Sequence, residues 1–92
     1  MAWNVEFERA AARILEKLDP QDTRRILRFL FERVANADDP RSIGEALQGH
    51  ELGSFWKYRV GAWRIIASIE DARLLILVVR VGHRREVYRN LG

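Results

Sequence analysis

The residues best suited to chemistry lie in the second half of the chain. In FWKYRV, residues 55–60, Lys57 and Arg59 stand two positions apart. In RVGHRREVYR, residues 80–89, Arg80, His83, Arg84, Arg85, Tyr88 and Arg89 follow the apolar run LLILVV. Arg64 stands between these stretches, in WRIIASI. Side chains at i and i+2 of a strand share a face, so Lys57 and Arg59 emerge together, roughly 7 Å apart for a rise of ~3.3 Å per residue. Two cations so placed repel each other unless solvent or an anion lies between them. A solvated strand face and a phosphate-binding face both meet that requirement, and both readings are open at this level. Phe55 shares the face and offers a ring on which a base can stack.

Metal-free transesterification of RNA is one reaction such a set can perform. A 2′-hydroxyl attacks its own 3′-phosphate, the 5′-oxygen leaves, and the products are a 2′,3′-cyclic phosphate and a 5′-hydroxyl. The protein must hold the attacking oxygen in line, neutralise charge on the transition state and move protons. Arginines suit the second task, because the guanidinium fork matches phosphate oxygens. Tyr88 can serve as the base if neighbouring cations lower its phenol from the ordinary value of about 10. His83 is the more conventional acid–base group, with phosphate binding or turn capping as its other uses.

Other chemistries lack their parts. There is no cysteine, His50 and His83 are the only histidines, and no HExxH-like spacing occurs. Neither a metal site nor a cofactor is expected. No GxGxxG or GxxxxGK[ST] phosphate loop is present, and Ser42, Ser54 and Ser68 lack a base-and-orienter pattern. Trp3, Trp56 and Trp63 read most simply as core residues.

The elements that must position this set follow from periodicity. Residues 2–7 alternate as a short strand. Ala11, Ile14, Leu15 and Leu18 recur at helical spacing from Glu8 to about Leu18. Asp19-Pro20 stops that helix and starts another, with Asp19 as its cap, running to about Ala37. Its buried stripe is Ile26, Leu27, Leu30, Phe31 and Val34. Residues 38–54 are turn-rich, with Ala46 and Leu47 as anchors on the core. Three strands then follow, 55–60, 63–69 and 73–81, joined by short turns at Gly61-Ala62 and Glu70-Asp71. Gly82 is expected to turn the chain sharply, and residues 85–91 to form a closing helical turn or two. The fold class is α+β, in the order β-α-α-β-β-β with a short helical tail. A small twisted, mainly antiparallel sheet carries the N-terminal helix hairpin on one face. Two helices cannot cover both faces, so the other is partly open.

With 92 residues, a single domain over 1–92 is expected. The formal charge of +3 is unevenly spread: residues 1–52 carry −2 and residues 53–92 carry +5. A polyanion would meet the second half first. The longest apolar run, Leu74 to Val79, is too short to span a bilayer as a helix, and no signal peptide is visible. The absence of cysteine fits the cytoplasm.

The run FWKYRVGAWRII and the ending VVRVGHRREVYR, taken with the element order, resemble RelE-type toxins of the RelE/ParE toxin–antitoxin superfamily over essentially the whole chain. The resemblance implies an mRNA interferase that works in the decoding site of the 70S ribosome and cuts by 2′-hydroxyl attack without metal. It places the family's basic pair on Lys57 and Arg59, its next-strand arginine on Arg64, its post-glycine arginine on Arg84 and its terminal tyrosine on Tyr88. Arg80, Arg85, Arg89 and Phe55 would add RNA contacts. Two departures stand out. Arg59 occupies a lysine position and cannot readily give up a proton, so it acts as an electrostatic clamp. The basic segment before Tyr88 is two residues shorter, which brings His83 into consideration for proton transfer. The resemblance also implies a cognate antitoxin, RelB-like or another small protein, through which operator DNA is bound indirectly. Two alternatives belong beside it: a ParE-like gyrase poison on the same fold, and an RNA- or ribosome-binding module that does not cut.

Overall fold

The structure is a computed structural model and describes residues 2–47 and 55–87. The chain runs β1 (Asn4–Phe7), α1 (Arg9–Lys17), α2 (Pro20–Arg28), β2 (Glu45–Ala46), β3 (Phe55–Val60), β4 (Trp63–Glu70) and β5 (Leu75–His83). The sheet order is β1-β5-β4-β3-β2. β1 runs parallel to β5, and every other neighbouring pair is antiparallel. β1 and β5 are not consecutive: the helix hairpin carries the chain from β1 to β2 at the far edge, and β5 returns beside β1 after β3 and β4. The expected α+β class and helix hairpin are therefore present. None of the helices among the described residues is long and apolar enough to cross a membrane.

Asp19 caps α2, its carboxylate accepting from the Gln21 N–H at 3.1 Å, with Pro20 at the first helical position. Thr23 Oγ1 donates to Leu15 O at 2.7 Å and pins the two helices at their junction. Beyond Arg28 the helix winds wider over Phe29–Val34, and the Ala35 N–H reaches back to Leu30 O at 2.8 Å. The regular helix thus ends short of Ala37. The wider winding keeps Leu30 and Val34 on the core and turns Phe31 out, leaving it 48% exposed. Phe31, expected in the buried stripe, instead caps the sheet margin against Phe7. Ile14 also lies outside the core, 37% exposed, because it overhangs a stretch of β5 that β1 does not cover.

The main core sits between helices and sheet. Ala11, Leu15, Ile26, Leu30 and Val34 meet Tyr58, Val60, Ile65, Ala67, Ile76, Val78 and Val81. The opposite face has a small apolar patch of its own: Leu47, Ile66 and Val87, with Phe55 and Val79 against it. Leu47 therefore anchors its loop as expected. Ala46 is exposed and belongs to β2, a strand of two residues too short for periodicity to reveal.

The last strand lies two residues later than expected. Asp71–Arg73 forms a 3₁₀ turn and Leu74 takes a left-handed backbone (φ 47°), so β5 starts at Leu75. It continues through Gly82, which is paired with Arg64 and does not turn the chain. What glycine provides at 82 is room: a Cβ there would lie 3.2 Å from Val87 Cβ. The turn comes one residue later, where the Glu86 and Val87 N–H groups donate to His83 O at 2.8 and 2.9 Å. The rest of the expected closing turn, from Tyr88 on, falls outside the described residues.

Candidate nucleic-acid interface

Cross-strand register assembles the face that the helices leave uncovered. Tyr58 and Ile65 are partners and both are buried in the main core, so their sequence neighbours project to the other side. On that side one row reads Glu45, Lys57, Ile66, Arg80 across β2, β3, β4 and β5. The next reads Arg59, Arg64, Gly82. A bulge in β5 matters here. Ile66 pairs with Arg80 while Ala67 pairs with Val78, so Val79 is an extra residue. That extra residue brings Arg80 into the row of Lys57.

Arg59 stands directly opposite Arg64, an arrangement of like charges that destabilises a bare sheet. Two local features offset it. The Arg64 guanidinium folds onto the β3–β4 turn and donates to Gly61 O and Trp63 O, both at 2.9 Å. Arg59 Nη2 lies 3.2 Å from Glu45 Oε1, and Lys57 Nζ lies 3.9 Å from Glu45 Oε2. One carboxylate thus serves two cations. Lys57 is the more sheltered, with 22% of its side chain exposed against 63% for Arg59. Between these cations an anion such as phosphate would exchange one negative group for another.

The tail folds back over this face. Arg84 N–H donates to Ala62 O at 2.8 Å, fixing the tail to the β3–β4 turn, and Arg84 and Arg85 are exposed beside it. Val87, 2% exposed, seals onto Ile66 and Gly82. The chain is therefore delivered to the cationic face immediately before Tyr88. Tyr88 and Arg89 themselves lie outside the described residues, as does His50. Phe55 is half-buried in the apolar patch at the β2 side of the same face.

His83 is not brought to this face. Its partner Trp63 packs against the main core, the two rings meet edge-on at 5.9 Å, and His83 Nδ1 accepts the Arg85 N–H at 3.2 Å. The other tyrosine, Tyr58, is no candidate base. Its hydroxyl donates to Pro40 O at 2.8 Å, and burial pushes its pKa up to about 12.

Glu45 is the residue that sequence reasoning missed. Nothing in GEAL marks a strand, and only the pairing of β2 with β3 sets its carboxylate against Lys57 and Arg59.

Comparison with known proteins places this geometry in a family. The model of the ParE toxin of the type II toxin–antitoxin system parDE matches residues 5–88. Toxin RelG of Mycobacterium tuberculosis is 30% identical over 89 residues, covering 97% of this chain and 99% of RelG. Among solved structures, the fold is similar to one in the RelBE2 toxin–antitoxin complex of Mycobacterium tuberculosis, with a TM-score of 0.82 and 28% identity over 94% of this chain and 95% of that one. It is also similar to one in the intact Escherichia coli RelBE complex, with a TM-score of 0.70 and 20% identity over 89% and 96% of the two chains. The chain belongs to the RelE/ParE superfamily of toxin–antitoxin toxins, as a RelE-type toxin.

Proposed function

We propose that this toxin is a ribosome-dependent endoribonuclease that cleaves messenger RNA in the decoding site and so stops translation. The observation that carries the reading is the convergence of Lys57, Arg59 and Arg64 on one open sheet face, to which Val87 ties the tail bearing Tyr88. The 2′-hydroxyl attacks the adjacent phosphorus and the bond to the 5′-oxygen breaks, leaving a 2′,3′-cyclic phosphate and a 5′-hydroxyl. Tyr88, as its phenolate, accepts the 2′-hydroxyl proton, and the Lys57 ammonium gives a proton to the departing 5′-oxygen. Lys57, Arg59, Arg64 and Arg84 hold the scissile phosphate and offset its developing charge. Arg80, Arg85 and Arg89 contact flanking phosphates, and Phe55 contacts a base. The ribosome supplies the alignment that so small a protein cannot impose on a flexible strand.

A RelB-like antitoxin is the proposed partner in the cytoplasm, with any operator contact made through it. The related Mycobacterium tuberculosis and Escherichia coli proteins were both determined in toxin–antitoxin complexes. The +5 second half suits an acidic wrapping segment.

The test is cleavage of a defined messenger in a purified translation system, with and without ribosomes, for the parent and Tyr88→Phe. Ribosome-dependent cuts that fade in the variant support the reading. Equal cutting by both would remove the phenol from the mechanism. The match to the ParE model gives a second reading, inhibition of DNA gyrase. Loss of supercoiling activity without RNA cuts would establish it, and Lys57, Arg59 and Arg64 would then be replaceable without loss of toxicity.

A further inference from the structure

A second cationic surface lies on the helix layer. A groove of about 360 Å³ runs between the C-terminal part of α2 and the β3–β4 turn, lined by Arg25, Arg28, Phe29, Arg33, Arg59 and Gly61 among others. Among the described residues Glu32 is the only carboxylate lining it, and it is 3.7 Å from Arg28. Arg25 and Arg33 form no ion pair among the described residues, and both are exposed. On α1, by contrast, Arg9, Arg13 and Lys17 are interleaved with Glu8 and Glu16. A helix face kept for solubility resembles α1. Arg28 and Arg59 already face Glu32 and Glu45, but Arg25 and Arg33 add two cations that no carboxylate among the described residues pairs, and their mutual repulsion favours a bound anion.

The groove is also shaped for guanidinium groups. Gly61 has φ +61°, and a Cβ there would come within 3.0 Å of Arg25 Nη1, so its absence lets the Arg25 fork lie against the turn. The Arg33 guanidinium carbon sits 5.9 Å from the centre of the Phe29 ring, which orients that side chain by a cation–π contact. The Arg33 fork is oriented by its ring contact and the Arg25 fork lies beside the turn, and forks of this kind take phosphate oxygens two at a time.

We propose that this groove binds the phosphate backbone of structured RNA, as an anchor separate from the face that holds the scissile phosphate. Arg59 belongs to both surfaces, so one polyanion can follow positive charge from the open face round the β3–β4 turn to α2. An acidic protein segment is the less suitable occupant. The anchors of protein interfaces fill apolar pockets, and Phe29, already engaged by Arg33, is the only aromatic ring among the described residues that line the groove. The choice of RNA rests on the proposed function; the argument from charge does not.

The experiment is anisotropy of a labelled RNA hairpin titrated with purified toxin at several salt concentrations. It compares the parent, the double variant Arg25→Gln/Arg33→Gln, and Arg13→Gln on α1 as control. Loss of two phosphate contacts should weaken binding by about tenfold near 0.1 M salt and lower the slope of log affinity against log salt by about 1 to 2. The control should bind like the parent. In ribosome-dependent cleavage the double variant should need more ribosomes for half-maximal rate at an unchanged maximal rate. Unchanged affinity and slope would overturn the proposal. So would intact hairpin binding with weakened antitoxin binding, which would assign the groove to a protein. If the parent cuts nothing but hairpin binding still falls in the double variant, the anchor stands and the nuclease reading fails.

Discussion

The two ends of the sheet treat charge in opposite ways. At the β4–β5 end, Arg41 reaches Asp71 with Nη2 at 2.6 Å from Oδ2 and Nη1 at 3.1 Å from Oδ1, and also meets Asp39 at 3.3 Å. Arg73 pairs with Glu70 at 3.2 Å in the same region. At the β3–β4 end, Arg25, Arg64, Arg84 and Arg85 make no ion pair among the described residues, and Arg59 shares Glu45 with Lys57. The first end is a clasp. It ties the loop before β2 to the β4–β5 turn, over the buried Tyr58–Pro40 hydrogen bond. The second end gathers more arginines than the ion pairs among the described residues neutralise. Arginine alone thus does not mark a binding site. What distinguishes the candidate face is arginine gathered on one side with few carboxylates beside it among the described residues.

The largest effect should come from removing charge at the open end. Arg59→Ala should lower ribosome-dependent cleavage by about 100-fold or more, the scale for losing one preorganised group that stabilises transition-state charge. Arg41→Ala at the clasp should leave the cleavage rate within about twofold of the parent under conditions where both are folded. Equal losses in both variants would erase the distinction between the two ends.

Next in size is the apolar floor beneath the site. Ile66 is fully buried between the strands and Val87. Ile66→Ala should destabilise the protein by about 2–5 kcal/mol, the range for deleting a core Ile side chain. It should also reduce cleavage at temperatures where the protein is still folded, because Val87 then loses the surface that holds the tail. Chemical denaturation gives the first number and single-turnover cleavage the second. Stability loss with unchanged cleavage would show that the tail needs no such seat.

Glu45→Gln probes the carboxylate within the cationic face, and its sign carries the information. As a counter-ion, Glu45 competes with phosphate, so the variant should bind RNA a few-fold more tightly, by the scale of exposed ion pairs. A fall in cleavage at saturating ribosomes, with binding unchanged, would instead make the carboxylate a participant in proton transfer.

How much of this was legible beforehand follows from how local each signal is. The alternation in FWKYRV assigned Tyr58 to the core and Lys57 and Arg59 to the open face, and the structure agrees. Asp19-Pro20 announced the helix junction by its own chemistry. What escaped depends on distant partners. β2 is two residues long and exists because β3 offers it an edge. The wider winding of Phe29–Val34 exposes Phe31, although simple helical spacing places that ring inward. The role of Gly82 came from Val87, five positions on, and not from backbone freedom. The side on which His83 falls was set by the bulge at Val79, which no pattern of residue types announces.

The smallest expected effect lies at the clasp. Arg41 hydrogen-bonds the Asp71 carboxyl and holds it below the ordinary value of 3.8. A carboxylate whose pKa is lower in the folded state than in the unfolded chain contributes stability above the unfolded value, and that contribution disappears as pH falls through the folded one. Asp71→Asn should therefore reduce the melting temperature slightly at neutral pH, where a solvent-exposed pair is worth little. It should also flatten the part of the stability–pH curve below about pH 4, the ordinary carboxylate range. Cleavage should not change. Thermal melts from pH 2 to 7 on parent and variant provide the comparison. Curves that run parallel throughout would show that the Arg41–Asp71 pair is no tighter in solution than any other exposed contact, and the clasp would then have to rest on Tyr58 and Pro40 alone.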